Sequence, residues 1–350
     1  MKYLMILMLI SVFACKNNVE QQRESELYFP PLDGNWETTN PNILNWNTNN
    51  LNDLYNYLQE KETKGFIILK DGKIVIEKYF NGHSNTAKWN WYSAAKTLTS
   101  ATIGIAQNEG FLDINDKTSD YLGLHWTSLD LDKENLITIR HQLTMTTGLD
   151  NTNFTSTNPL DLTYLADAGT RWAYHNGPYT LLQSVVTNAT NISFNEYFYE
   201  KIQDKIGMNG FWYIFGDLHI YRSTTRDMAR FGLLILRNGK WKDEDIIPQT
   251  YFNEMVNSSQ SINPSYGYLW WLNGKNKYIL PQSQEVHTTN LIPNAPNDLI
   301  AALGANDQKI YVVPSKKLIV VRCGEDANTG QLTLSGFDNV LWEKLGNIIP

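Results

Sequence analysis

Two cysteines, Cys15 and Cys323, are all that this chain of 350 residues carries. A disulfide framework is thereby excluded as its main support, and burial of apolar surface has to hold the body together. Histidine is scarce too. The 6 histidines show no His-x-His or His-Glu-x-x-His spacing, which removes the common metal-hydrolase patterns. No Gly-x-Ser-x-Gly elbow occurs, which counts against an α/β-hydrolase triad. Asp130-Leu131-Asp132-Lys133-Glu134 opens like a calcium loop, but Asn135 stands where the tight-turn glycine belongs and His141 where the bidentate glutamate belongs. Neither a metal nor a cofactor is therefore expected. Positive charge is not clustered, and the net charge is −7; no basic patch remains to neutralise a phosphate backbone, so nucleic acid is not an expected partner. The apolar run Leu4 to Phe13 falls short of the roughly 20 residues that a membrane-spanning helix requires.

What is present points to a folded body: 11 Trp, 19 Tyr and recurrent Leu/Ile runs. At the N-terminus, Lys2, the Leu4–Phe13 run and Ala14-Cys15 resemble a bacterial lipoprotein signal. That resemblance implies a signal peptide over 1–14, lipidation of Cys15 and a flexible polar tether over 15–27. The protein is then exported and held at the cell envelope, on the periplasmic side of the membrane or the cell surface. An ordinary secretory signal is the alternative. Cys323, in the run Leu318–Cys323, reads as a buried strand cysteine.

Along the body, Leu51, Leu54, Tyr55 and Leu58 have helical spacing. Two apolar, β-branched runs flank Asp71-Gly72, the strongest short hairpin signal. Ser93 to Gly110 reads as a helix with a glycine stop, Ile139 to Gly148 as a short helix, Tyr179 to Val186 and Ser223 to Leu236 as further helices. Strands are expected at Tyr266–Leu272, Leu299–Leu303, Lys309–Val313 and Leu318–Cys323, and a last helix around Trp342. Strands at both ends with helices between them give an α+β class. The expected architecture is an antiparallel sheet from 28–92 and 215–350, flanked by helices, with an inserted mainly helical domain over 93–214.

Ser93 is the one serine with a lysine three residues on, Lys96, and at that spacing both side chains share a helical face. Serine is a poor nucleophile at neutral pH. A lysine whose amine is kept neutral by burial can serve as its base. In the first helical turn, the Ser93 backbone N–H lies where negative charge is favoured. Downstream come Leu143-Thr-Met-Thr-Thr-Gly148-Leu149, then Tyr174-His175-Asn176, then a late strand ending in Tyr311-Val-Val-Pro314.

This ordered set resembles the penicillin-binding-protein and serine β-lactamase superfamily over roughly residues 50–345. The closest likeness is to its class C-like esterase, D-aminopeptidase and 6-aminohexanoate-dimer hydrolase members. The resemblance implies a β-lactamase/transpeptidase-like fold in which Ser93 is acylated, Lys96 helps remove its proton and Tyr174 is the second proton carrier. Asn176 is implied to hydrogen-bond Lys96 or the substrate. The implied oxyanion hole combines the backbone N–H of Ser93 with one near Ala302. Positive charge beside Tyr174 is expected to favour its tyrosinate.

One departure stands out. The family's basic third motif is expected before Tyr311–Pro314, and Leu299-Ile300-Ala301 occupies the counted place. The expected function is therefore a serine hydrolase acting through an acyl-enzyme on a small ester or amide, not necessarily a β-lactam. The alternative is a non-catalytic envelope lipoprotein of the same fold that binds glycans or peptides. His175 points away from Tyr174 and Asn176 if the segment is extended, and a pocket or surface role is expected for it. Tyr266, Tyr268 and Trp270 are expected on one strand face, with Leu269 and Trp271 on the other.

Overall fold

The computed structural model describes residues 27–327 and 330–350. The signal segment, Cys15 and nearly all of the tether lie outside the described residues.

The principal elements are α1 (Leu51–Glu60), β1 (Thr63–Lys70), β2 (Lys73–Tyr79), β3 (Lys88–Asn90), α2 (Lys96–Asn108), α3 (Asn176–Thr190), β4 (Phe211–Phe215), β5 (Leu218–Thr224), α4 (Thr225–Leu236), β6 (Trp271–Leu272), β7 (Ile300–Gly304), β8 (Gln308–Val313), β9 (Leu318–Gly324) and α5 (Gly336–Gly346). Asp71 and Gly72 both take positive φ, 51° and 83°, the geometry Asp-Gly favours in a two-residue hairpin turn. They join β1 to β2 as the sequence indicates. The main sheet runs β2-β1-β9-β8-β7-β6 with antiparallel neighbours. The N-terminal hairpin thus pairs with the last strand, and the two ends of the chain build one α+β body.

Strand alternation assigns the two sheet faces. Ile310 lies against Gly232 of α4, where a Cβ would meet Ile319 at 2.8 Å; glycine lets the helix settle that closely. Its neighbours Lys309 and Tyr311 point the other way and bond to Asp338 of α5, at 3.0 and 2.5 Å. α4 begins at a capping box in which Thr224 and Asp227 satisfy each other's backbone N–H groups, worth about 1 kcal/mol.

α2 is buried from Lys96 to Ala106, so it runs through the interior and is not an amphipathic surface helix. Its hydroxyls turn inward to the backbone: Thr97 bonds the Ala94 carbonyl and Thr102 the Leu98 carbonyl. A smaller sheet, β3-β5-β4, lies beside its start. One continuous apolar core includes residues of both expected regions, such as Leu98, Val185, Phe231 and Val320.

The stretch Tyr266–Leu272 departs from the sequence reading. Only Trp271–Leu272 is strand. Leu269 adopts φ of 63° and the Gly267 N–H bonds the Trp270 carbonyl, so the segment folds back on itself. Period-two faces do not exist there, and Tyr266, Tyr268, Leu269, Trp270 and Trp271 are all buried. The helix from Ile139 likewise ends at Leu143, with Met145 at φ of 59°.

Candidate active site

Ser93 sits in a short 3-10 turn, Tyr92–Ala95, that leads directly into α2. The turn is fixed from behind. Trp91 is fully buried; its backbone N–H bonds the Tyr221 carbonyl at 2.9 Å, and its indole N–H bonds Ser223 Oγ at 2.8 Å. Tyr92 then takes φ of 47°, a left-handed conformation that costs a non-glycine residue about 1–3 kcal/mol and is held only where surroundings over-determine it. Together these contacts hold Ser93 half-buried at the edge of a cavity.

Lys96 Nζ lies 3.1 Å from Ser93 Oγ. The side chain is only 3% exposed, and burial lowers its pKa from 10.5 to about 7. A large fraction of the amine is thus neutral near pH 7 and has a lone pair for the serine proton. Aromatic faces surround it. Nζ is 4.2 Å from the Tyr179 ring centroid and 5.1 Å from that of Tyr174.

Tyr174 completes the cluster, bordering the same cavity as Ser93 and Lys96. Burial raises its pKa; the nearby Ser93 hydroxyl pulls the other way and Tyr179 adds to the rise. The expected tyrosinate is therefore not favoured: the Ser93 interaction offsets only part of the desolvation, and the largely neutral amine adds little. A raised pKa keeps the Tyr174 phenol protonated near neutral pH. Its ring stacks on Trp271, with centroids 6.3 Å apart and planes at 19°.

Asn176 is the first residue of α3, and its N–H bonds the Phe154 carbonyl at 2.7 Å. Its side chain borders the cavity with Ser93, Lys96 and Tyr174, while its buried Oδ1 has no partner. Sequence reasoning thus names four residues that the fold brings together. His175 is not a fifth. It is 2% exposed and does not border the cavity, so neither the pocket nor the surface role holds. Burial lowers its pKa to about 4, and neither ring nitrogen makes a well-formed hydrogen bond.

Ala302 also needs correction. It lies within β7, opposite Ile310, and does not border the cavity; Ala305, just past the strand, does. Gly304 allows the approach, since a Cβ there would lie 2.4 Å from the Trp91 carbonyl oxygen and 2.9 Å from the Ala94 nitrogen. The strand end beside Ser93 is therefore Ala302-Leu303-Gly304, three residues later than the counted Leu299-Ile300-Ala301. A tight turn, Ala305–Asp307, separates β7 from β8 and shortens the count. No basic side chain occupies the corrected place either.

That turn is held by its carbonyls. Gln308 Nε2 donates to Ala305 O at 3.2 Å and Asn306 O at 2.7 Å. Arg322 Nη1 donates to Asn306 O at 2.7 Å and Asp307 O at 3.1 Å. Asn306 and Asp307 have positive φ, 56° and 57°, so this network maintains an otherwise unfavourable backbone.

The cavity measures about 130 Å³, and aromatic and aliphatic side chains dominate its lining, among them Phe154, Tyr179, Leu218 and Ile220. Lys96 is the one lysine in its lining, which has no arginine, and His219 from β5 is the one histidine. A larger groove of about 640 Å³ lies elsewhere, bordered by charged residues such as Glu109, Lys201 and Glu244, and contains none of the predicted site residues. The sequence reading missed Tyr179, although Asn176 and Tyr179 stand three apart on α3 and so share a face. Ala305 and His219 carry no signal in sequence; β-turn geometry and tertiary packing bring them in. Among the described residues, no group of three or more His, Cys, Asp or Glu side chains is placed to hold a metal. No described helix is long and apolar enough to cross a membrane.

An antiparallel sheet closed by both chain ends, with Ser-x-x-Lys opening a buried helix and Tyr-x-Asn facing it, defines the β-lactamase/transpeptidase-like class of fold. The chain belongs to the beta-lactamase family, whose model matches residues 59–323. Among solved structures it is similar to a protein provisionally assigned as a 6-aminohexanoate-dimer hydrolase from Bacillus anthracis, at 19% identity and TM-score 0.68, covering 92% of this chain and 88% of that one. It is also similar to a penicillin-binding protein from Bacillus halodurans, at 16% identity and TM-score 0.59, covering 83% and 99%. A D-stereospecific amidohydrolase from Streptomyces sp. matches at 13% identity and TM-score 0.60, covering 82% and 96%. At these identities the likeness concerns the fold. No curated protein matches the sequence significantly.

Proposed function

We propose that the protein is a serine hydrolase that forms an acyl-enzyme on Ser93 from an uncharged ester or amide. The observation that carries this reading is the 3.1 Å approach of Ser93 Oγ to the desolvated amine of Lys96. Ser93 Oγ attacks the substrate carbonyl carbon as its proton passes to Lys96 Nζ. The tetrahedral oxyanion is held by the N–H groups of Ser93 and Ala305, where charge develops. As the bond to the leaving group breaks, Tyr174 gives that group its phenolic proton and recovers one from the Lys96 ammonium. Water then attacks the acyl carbon as the same pair takes its proton; the bond from that carbon to Ser93 Oγ breaks, Lys96 returns the proton to Oγ, and the acid leaves.

Membership of the beta-lactamase family and likeness to structures described as hydrolases support this reading. The preference for a substrate without a carboxylate rests on the lining, which offers no arginine, and no lysine other than Lys96. A binding-only role is not favoured, because ligand retention gives no reason to desolvate a lysine beside a serine. Turnover of p-nitrophenyl acetate, with an acetyl adduct trapped on the Ser93 peptide and both lost in Ser93→Ala, is the expected result. Equal turnover by wild type and Ser93→Ala would refute it. We also propose that Cys15 carries a lipid that tethers this body to the envelope membrane. Metabolic labelling with an alkyne fatty acid tests this; label that persists in Cys15→Ala overturns it.

A further inference from the structure

Beside the cavity at Ser93 lies a second one of about 200 Å³, and the two share one side chain, His219. They follow one another along α3. Asn176 and Tyr179 border the first, while Gln183, Ser184 and Thr187, one and two turns further on, border the second.

His219 is held in one orientation. Its Nδ1 lies 2.6 Å from Gln183 Oε1, and Gln183 Nε2 reaches Thr99 Oγ1 at 3.4 Å. An amide oxygen can only accept, so Nδ1 carries the proton and Nε2 keeps its lone pair. Nε2 has no protein partner, yet is not among the buried unpaired atoms; it is open to the space around it. Burial lowers the pKa of His219, which keeps this acceptor form at neutral pH. On the same face of the hairpin, Ile214 pairs with His219 across the strands, and Trp212 and Ile214 supply an apolar wall. Neither lysine nor arginine borders the second cavity.

We propose that this second cavity is a subsite for the part of the substrate lying beyond the scissile carbonyl, with His219 Nε2 accepting a hydrogen bond from an N–H or O–H of that part. The substrate class is then an extended, uncharged ester or amide with a hydrogen-bond donor a few bonds from the reacting carbon, followed by an apolar group. This inference rests on the serine-hydrolase reading.

Two pairs of esters test it, one extended on each side of the reacting bond. On the acyl side, p-nitrophenyl acetate is compared with the p-nitrophenyl ester of N-acetyl-γ-aminobutyrate. On the leaving side, p-cresyl acetate is compared with p-(acetamidomethyl)phenyl acetate. For at least one pair, wild type is expected to favour the extended member about tenfold in kcat/KM, the scale of one good buried hydrogen bond. His219→Ala, and Ser184→Trp, which fills the second cavity, should each reduce that ratio to near one. Because the ratio compares substrates within one preparation, partial misfolding does not alter it. No preference in wild type, or a preference that survives both substitutions, overturns the subsite while Ser93-dependent turnover of the short esters leaves the hydrolase reading standing. Absence of any Ser93-dependent turnover overturns both.

Discussion

The amine of Lys96 stands 4.2 Å from the centre of the Tyr179 ring. Two effects oppose each other there. Desolvation lowers the lysine pKa from 10.5 to about 7, equivalent to about 5 kcal/mol against the charged form. The ring face favours the ammonium by roughly 1–2 kcal/mol. Burial is the larger, so the neutral amine is well populated, and the ring tempers the shift. Tyr179→Leu removes the ring face and keeps the site apolar; the acid limb of the kcat/KM profile should move about one unit lower in pH. Tyr179→Phe keeps the face and should leave the limb in place. A leucine variant with an unmoved or raised limb contradicts this balance.

Lys96→Met separates catalysis from stability. Activity should fall by about 10²–10⁴, the usual contribution of a positioned general base. Stability should respond in the opposite sense. The folded-state pKa is depressed to about 7 against 10.5 unfolded, so between those values the unfolded chain binds more protons and stability rises with pH. The penalty is complete below about pH 7 and is relieved as pH climbs toward 10.5. Denaturant titrations should therefore find the methionine variant more stable than wild type by a few kcal/mol at pH 6, with the gap closing by pH 10. A gap independent of pH would show that the lysine is not desolvated in this way.

Tyr174→Phe should lower kcat by about 10²–10⁴ through loss of the proton donor. The ring would still stack on Trp271, so unfolding free energy should change by less than about 1.5 kcal/mol. Better leaving groups need less protonation, so the defect should shrink from an anilide to the matching p-nitrophenyl ester. Equal defects on both would assign Tyr174 a different role.

Gln308→Leu tests the turn that presents the Ala305 N–H. Losing the bonds from Gln308 to Ala305 O and Asn306 O should lower kcat by about 10–10³ while KM changes little, as expected when an oxyanion donor drifts. Asp338→Asn is the control. Asp338 bonds Lys309, Tyr311 and Ser335 but none of the turn carbonyls, so it should destabilise the fold and spare kcat. If both variants lose kcat in proportion to stability, the turn has no specific part in catalysis.

The sequence was most informative where a local rule and the tertiary structure agree. Asp71-Gly72 makes a hairpin because its turn needs positive φ twice, and Ser93 meets Lys96 because helical spacing puts them together. The reading failed where a single backbone angle or burial decides. Leu269 at φ of 63° breaks an alternation that looked like strand. The turn at Asn306 and Asp307 moves the strand end beside Ser93 by three residues, from Leu299–Ala301 to Ala302–Gly304, and brings Ala305 to the cavity in place of Ala302. Tyr174 does border the cavity with Ser93 and Lys96, but the desolvation that raises its pKa is a property of the assembled core and has no sign in the sequence. His175, between two site residues, is extended just before α3 begins at Asn176, so it does turn away from the cavity that Tyr174 and Asn176 border, but into the buried interior and not to the surface.

The most direct test of the central claim is the rate at which a fluorophosphonate labels Ser93 as a function of pH. A neutral Lys96 acting as base predicts a rate that rises through one ionisation near pH 7 and levels off, strong suppression in Lys96→Met and no adduct in Ser93→Ala. A rate that keeps climbing toward the ordinary lysine value near 10, or equal labelling of Ser93→Ala, would contradict it.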